Sequence, residues 1–109
     1  MSIHNILLFK TESGKEPFND WFSKLENNTK KRIIAGLNKA QAGNMGDHEH
    51  LGEGVSELKF HFDGGYRIYF GNDGKSLVIL LCAGNKKTQK RDIEKAKNYW
   101  REYNDNKEK

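Results

Sequence analysis

The sequence predicts an α/β protein of the α+β type, with a mainly antiparallel sheet and the element order β-α-α-β-β-β-α. Apolar residues recur at helical spacing in residues 16–40 and again from residue 88 onward. Between residues 55 and 83 the helical period disappears, and short apolar segments are separated by Asp-Gly-Gly (63–65) and Asn-Asp-Gly-Lys (72–75). These spacers are typical of hairpin turns, which join antiparallel strands.

The individual elements follow from local patterns. A β-branched and apolar run predicts a first strand at residues 3–9, and Pro17 marks the start of a helical hairpin. A Gly-rich loop is expected from Gly43 to about Gly54, followed by strands at 55–62, 66–70 and 77–83. The last segment is apolar on both sides, as in a central strand. A final amphipathic helix is predicted from Thr88, with a solvated polar tail at about 104–109.

The 109 residues are enough for one domain, spanning 1–109, because two cores would each be too small to be stable. The net charge of +4 favours polyanionic partners only if the cations are clustered. The single Cys82 excludes an internal disulfide and a cysteine-pair zinc site, and its apolar surroundings predict a reduced core thiol. Neither a signal peptide nor a membrane span is predicted, so we expect a cytoplasmic protein with no membrane partner.

The strand at residues 55–62 carries the first candidate functional residues. Leu58, Phe60 and Phe62 alternate with Glu57, Lys59 and His61, which predicts that the ionisable side chains share one face. On the next strand Arg67 and Tyr69 share a side, so a hairpin gathers these groups on one surface. The loop at 84–91 has four positive charges and no negative charge, and it is expected at one edge of that surface.

Such a set of groups suits phosphodiester cleavage in RNA. A base must take the proton of a 2′-hydroxyl, cations must neutralise the developing phosphorane, and an acid must protonate the leaving oxygen. Arg67 can offer a bidentate fork to phosphate, whereas Lys86 acts as a point charge. The competing interpretation is that alternating charges only form the solvated face of a sheet. Arg67→Ala should abolish activity and leave the fold intact, because truncation of one exposed or groove-lining charge changes stability by only about 0.5 kcal/mol.

Two other patterns favour structural interpretations. Residues 47–50 (Asp-His-Glu-His) are all potential metal ligands, but four in a row do not easily converge on one ion, so a polar loop and no metal site are predicted. Four aromatic residues at helical spacing can stack on bases, although packing is the expected use. These are Trp21, Phe22, Trp100 and Tyr103.

Three segments together resemble a known protein family: GVSELK (54–59), GYRIYF (65–70) and LLCAGNKKTQKRDI (80–93). They are similar to the phage-derived "addiction module killer" branch of the RelE/HigB toxins of the RelE/ParE superfamily. The resemblance extends over nearly the whole chain. It implies a compact RelE-like, microbial RNase-type fold and the toxin of a type II toxin-antitoxin system. Such a toxin is a metal-independent endoribonuclease without cofactors, which cuts mRNA, commonly on the ribosome, and is inhibited by a helix-turn-helix antitoxin.

The resemblance also implies roles for particular residues. Arg67 matches the arginine of the central strand, Lys86 a basic residue after the last strand, and Lys59 and His61 lie near the catalytic basic positions. The tyrosine found near Asp92 in some relatives is missing, which leaves Glu57, His61 and Asp92 as candidates for the acid and base. The remaining candidates are expected to bind RNA, namely Lys87, Gln89, Lys90 and Arg91.

Two alternative functions stay open from the sequence. Gyrase-inhibiting toxins share the implied fold but lack the catalytic residue set, and the retained Lys59, His61, Arg67 and Lys86 favour RNA cleavage over that alternative. The second is a nucleic-acid-binding module without toxicity, from which a neighbouring helix-turn-helix gene would distinguish a toxin. For the antitoxin two modes of inhibition stay open, in which an acidic segment occupies the positively charged face or a bulky partner bound elsewhere excludes the ribosome. The apolar residues of the helical hairpin at 18–40 favour the second mode, because they predict an exposed docking groove away from the charged face.

Overall fold

The computed structural model describes residues 5–107. It confirms the α+β class and the predicted order of elements, with one additional strand. The elements are β1 (Asn5–Leu8), α1 (Pro17–Ser23), α2 (Asn27–Gln41), β2 (His48–Gly52), β3 (Val55–Phe60), β4 (Tyr66–Asn72), β5 (Leu77–Asn85), a 3-10 helix (Lys86–Thr88) and α3 (Gln89–Lys107). The first two residues of the strand predicted at 3–9 lie outside the described residues.

The five strands form one sheet in the order β1-β5-β4-β3-β2. Only the β1–β5 pair is parallel, and the three other pairs are antiparallel, which confirms the mainly antiparallel sheet. Strand β5 lies between β1 and β4, and residues 78–82 are buried. Its apolar character on both sides therefore reflects a central position with helices on both faces.

The prediction of one loop up to Gly54 was wrong, because strand β2 lies within it. Residues 48–50 pair with residues 56–58 of β3, and a bulge follows between His50 and Gly52. As an edge strand, β2 leaves four of its five residues exposed, so no apolar alternation marks it in the sequence. Within the polar run of residues 47–50, residues 48–50 thus belong to an edge strand, which Asp47 directly precedes.

Two cores lie on opposite faces of the sheet. Phe18 of α1 and Ile33 of α2 pack on one face with Leu58, Ile68 and Phe70. Helix α3 covers the other face, where its Ala96 packs with five sheet residues and Phe9, namely Val55, Tyr69, Ile79, Leu81 and Cys82. The pairing of β4 with β5 shifts between Tyr69 and Phe70, which allows consecutive residues 81 and 82 to enter the same core. The buried thiol of Cys82 agrees with the expected core position.

Helix α3 is anchored along its length, and the predicted tail at 104–109 was wrong for residues 104–107, which are helical. Trp100 packs closely against Gly71, where any Cβ would overlap its indole ring. Tyr103 donates a hydrogen bond to Asp73 at 2.6 Å, and the Lys107 ammonium lies 2.7 Å from the same carboxylate. These contacts with the β4–β5 turn hold the C-terminal part of α3, which continues beyond the apolar stripe of the helix. Trp100 and Tyr103 therefore serve packing, as the sequence indicated.

The helical hairpin directs much of its apolar stripe toward the sheet, and the docking groove expected there stays a prediction. Phe18, Ile33 and Ala40 are buried against the sheet, and Ile34 is the large apolar residue that the hairpin exposes within residues 18–40. The apolar stripe packs on the sheet, which is the usual role of the apolar face of an amphipathic helix. None of the helices in residues 5–107 is both long and apolar enough to cross a membrane.

Candidate functional site

A cleft of about 320 Å³ opens where the β3–β4 hairpin meets the start of the 3-10 helix. Its walls carry four basic side chains from different parts of the chain, and Gly64 and Gly65 of the hairpin turn leave room between them. The four are Lys59, His61, Arg67 and Lys86. The structure therefore brings together the basic residues that the sequence singled out, and we call this site the basic cleft.

Two cations of the basic cleft stand directly opposite each other on neighbouring strands. Lys59 of β3 pairs in register with Arg67 of β4, and like charges in this relation repel. Each has its own carboxylate: Lys59 Nζ lies 3.3 Å from Glu49 Oε2 on β2, and Arg67 Nε lies 3.2 Å from Glu57 Oε1 on β3. These carboxylates offset the repulsion and hold both cations beside the cleft.

Glu57 is almost completely buried, with 1% of its surface exposed. It faces α3, which covers this part of the sheet, and Gln89 Nε2 of α3 donates a hydrogen bond to Glu57 Oε1 at 3.2 Å. Gln89 therefore directs its amide toward the sheet. The side chain of Arg67 keeps only 16% exposure beside this carboxylate. Because Arg67→Ala would leave the buried charge of Glu57 without its partner, the structure favours a larger loss of stability than the sequence alone suggests.

His61 follows the end of β3 and is well exposed. Its Nε2 lies 2.6 Å from Asp47 Oδ2, and this hydrogen bond is the main cause that lowers the pKa of Asp47 below its usual value. The nearby positive charge of Lys59 acts in the same direction. The main chain of Asp47 is also fixed, because its carbonyl accepts a hydrogen bond from Lys59 N at 2.8 Å. Asp47 thus holds one side of the imidazole at the rim of the basic cleft.

Lys86 begins the 3-10 helix and is exposed to solvent. Asn85 accepts hydrogen bonds from the main-chain N–H groups of Lys87 and Thr88, which caps the turn and sets the direction of the basic segment. A neighbouring hollow of about 300 Å³ shares Lys86 with the basic cleft and adds Lys87. Lys90 and Arg91 are exposed on the first turn of α3 but do not line either hollow.

Asp92 lies apart from the basic cleft and is buried. Its carboxylate accepts a hydrogen bond from the Thr88 hydroxyl and closes on Gly84, where a Cβ would overlap it. The Cys82 thiol approaches the Asp92 carbonyl at 3.6 Å, and burial raises the pKa of that thiol to about 12. These contacts indicate that Asp92 joins the start of α3 to the end of β5.

Tyr69 shares a sheet face with Glu57 and Arg67 but lies beneath α3, fully buried. Burial, followed by the negative charge of Glu57, raises the pKa of its phenol. Its hydroxyl has no hydrogen-bond partner within residues 5–107. Tyr69 therefore belongs to the interior and does not reach the basic cleft.

Sequence reasoning considered Asp47 and Glu49 only as possible metal ligands in a polar loop and missed their pairing with basic residues of the cleft. Asp47 directly precedes β2 and Glu49 lies within it, and their alternation with His48 and His50 was the signal that could have found this arrangement. His50 contacts Ser56 Oγ through its Nδ1 at 2.7 Å. The run therefore splits between two faces, and no group of three or more potential metal ligands is assembled within residues 5–107.

Comparison with known proteins places this geometry in context. The model of a family described as "Phage derived protein Gp49-like (DUF891)" matches residues 20–101, which include every residue of the basic cleft. A protein of Haemophilus influenzae (strain Rd) is 44% identical over 81 residues, which cover 73% of this chain and 82% of that relative. It is described only as an uncharacterized protein.

Proposed function

From the premise that the chain belongs to the Gp49-like family of phage-derived proteins, we propose that it is the toxin of a type II toxin-antitoxin system and acts as an mRNA endoribonuclease. The observation that carries this proposal is the convergence of Lys59, His61, Arg67 and Lys86 on one cleft. Clustered cations beside an imidazole suit a polyanionic substrate that reacts by proton transfer. The resemblance to addiction-module toxins supports the same conclusion.

In the proposed reaction the 2′-hydroxyl of one nucleotide attacks the adjacent phosphorus. The P–O5′ bond breaks, which leaves a 2′,3′-cyclic phosphate on one fragment and a 5′-hydroxyl on the other. Arg67 and Lys86 neutralise the charge that develops on the phosphoryl oxygens, and Lys59 supports them from β3. The Arg67 Nε faces Glu57, so the terminal nitrogens of the guanidinium remain for the phosphate.

His61 is the candidate for proton transfer, because an imidazole ring can both accept and donate a proton and this one is accessible at the cleft. Glu57 and Asp92 are too buried to touch a substrate, so we assign them supporting roles. Glu57 orients Arg67, and Asp92 stabilises the start of α3 that follows Lys86. No step of this scheme requires a metal ion.

A direct experiment tests this function. The purified chain is incubated with mRNA, with and without ribosomes and in the presence of EDTA, and the cleaved ends are mapped. We expect fragments with 2′,3′-cyclic phosphate and 5′-hydroxyl ends, with cleavage strongly reduced in Arg67→Lys and lost in His61→Ala. Intact RNA together with inhibition of DNA gyrase would instead assign the chain to the gyrase-binding alternative. Absence of toxicity with retained RNA affinity would indicate a binding module.

We further propose a helix-turn-helix antitoxin that inhibits the chain by placing an acidic segment in the basic cleft. The hairpin at 18–40 exposes one large apolar residue, Ile34, which makes it a less favourable docking surface. The cleft cations instead offer a complementary surface. Titration of purified antitoxin tests this: Lys86→Ala should weaken binding by about 2 kcal/mol or more. Unchanged affinity would indicate a docking site away from the cleft.

A further inference from the structure

The contact between Asp47 and His61 joins residues 14 positions apart and lies at the rim of the basic cleft. Both residues lie directly beside the paired strands β2 and β3. The Asp47 carbonyl accepts from Lys59 N, and His48, the next residue, pairs with Leu58. His61 directly follows the last residue of β3. The contact therefore lies at the end of the β2–β3 pairing, beside the cleft.

The chemistry of the two groups decides which nitrogen carries the hydrogen. An ionised carboxylate can only accept hydrogen bonds, so the nitrogen that faces it, Nε2, must be the donor. The lowered pKa of Asp47 agrees with an ionised carboxylate at neutral pH. In the neutral imidazole the other nitrogen, Nδ1, is then the acceptor, because one ring nitrogen donates and the other accepts.

We propose, building on the ribonuclease function proposed above, that Asp47 is a positioning residue that fixes His61 as the Nε2–H tautomer and leaves Nδ1 to act as the general base. Nδ1 takes the proton of the 2′-hydroxyl as the O2′–P bond forms. The leaving 5′-oxygen takes a proton from a water molecule as the P–O5′ bond breaks. The imidazolium afterwards returns its proton to solvent, so the enzyme is restored.

Other charged groups surround the pair, and they define the control. Lys59 and His48 act on the Asp47 carboxylate through their charges, while Asp63 follows His61 by two residues and is exposed. Asp63→Asn removes one negative charge from the same region without touching the Asp47–His61 hydrogen bond. This control shows whether the effect of an Asp47 substitution comes from the loss of the hydrogen bond to His61 or from the change in net charge. The amide also suits the positive φ of 49° at this position.

The test combines a structural readout with kinetics on the full chain. Nitrogen chemical shifts of the His61 ring, assigned with His61→Ala, report its tautomer. We expect Nε2–H in the wild type and a mixture in Asp47→Ala, with kcat reduced about tenfold and KM changed less than about twofold. Asp47→Asn keeps an accepting oxygen and should recover kcat to within about threefold of the wild type. Asp63→Asn should match the wild type in both readouts.

Each contrary result has a definite meaning. Wild-type kcat in Asp47→Ala, or an Nδ1–H tautomer in the active wild type, would overturn the role of Asp47 and leave the ribonuclease function standing. A wild type that does not cleave RNA under any condition would overturn the ribonuclease function and with it the catalytic role of the pair. In that case the ring tautomer still reports whether the Asp47–His61 hydrogen bond forms.

Discussion

Arg67 Nε lies 3.2 Å from Oε1 of the buried Glu57, and this ion pair connects the basic cleft to the covered interior of the sheet. Glu57 is shielded by α3, while the far end of the Arg67 side chain lines the cleft. The buried carboxylate thus fixes the direction of a guanidinium that the proposed substrate must contact. Stability and activity are coupled at this pair.

Loss of the Glu57 carboxylate should destabilise the fold. Glu57→Ala leaves the partly buried Arg67 without its partner, so we expect the free energy of unfolding to fall by about 2–4 kcal/mol. Glu49→Ala is the matched control, because the Glu49–Lys59 pair is exposed at its carboxylate and such pairs contribute about 1 kcal/mol or less. Urea denaturation measures both. Equal effects in the two variants would show that burial of Glu57 does not matter.

Arg67→Lys separates stability from activity at the same pair. Lysine keeps a positive charge near Glu57, so the free energy of unfolding should change by about 1 kcal/mol or less, whereas Arg67→Ala should lower it by about 2–4 kcal/mol. RNA cleavage should fall at least about tenfold in Arg67→Lys, since the planar fork is lost. Denaturation curves and single-turnover cleavage provide the two measurements. Full activity in a stable Arg67→Lys would remove the fork from the mechanism.

Lys86→Ala should weaken RNA binding through the loss of one phosphate contact. The slope of log K against log salt should decrease in magnitude by about one unit, because one fewer counterion is released. Lys75→Ala is the control, since Lys75 is exposed in the β4–β5 turn at the opposite end of β5. Fluorescence anisotropy over a salt series measures the slope. If both variants give the same slope as the wild type, Lys86 does not contact the phosphate backbone.

Asp73 should make the attachment of α3 sensitive to acid. Hydrogen bonds from Lys107 and Tyr103 lower the pKa of Asp73 below its usual 3.8. Because the pKa of Asp73 is lower in the folded state than in the unfolded state, the ionised carboxylate contributes its full stabilisation at pH values above the usual pKa of 3.8. This contribution is lost as the pH falls through the lowered pKa of the folded state. The wild type should therefore be more stable than Asp73→Asn at pH 7, with the difference vanishing at strongly acidic pH. Thermal unfolding at several pH values tests this, and a difference that persists in acid would contradict it.

Gly71 should tolerate no side chain, because a Cβ there would overlap the Trp100 indole. We expect Gly71→Ala to lower the free energy of unfolding by about 1–3 kcal/mol through overpacking. In the background of Trp100→Leu, the same glycine substitution should cost much less, since the planar ring is gone. Chemical denaturation of the single and double variants gives the coupling energy. Additive effects would show that Trp100 does not pack on Gly71 in solution.

The sequence by itself determined the class of fold, the hairpins and the basic residues of the cleft. Alternation from Glu57 to Phe62 and the Gly-containing turn after it are local properties, because the side-chain period of a strand and the φ values of a turn depend on neighbouring residues. They were enough to place Lys59, His61 and Arg67 on one hairpin. The basic segment that begins at Lys86 was visible as an uninterrupted run of positive charge.

Only the tertiary structure decided which of the ionisable side chains line the cleft and which are buried. Strand β2 lacks an apolar face because it lies at the sheet edge, so the local pattern did not reveal that Glu49 and the preceding Asp47 pair with the basic residues of the cleft. The burial of Glu57 depends on α3, which begins 32 residues later at Gln89. The Asp47–His61 contact likewise arises from strand pairing. Such relations depend on how distant segments pack, and a local pattern along one segment does not contain them.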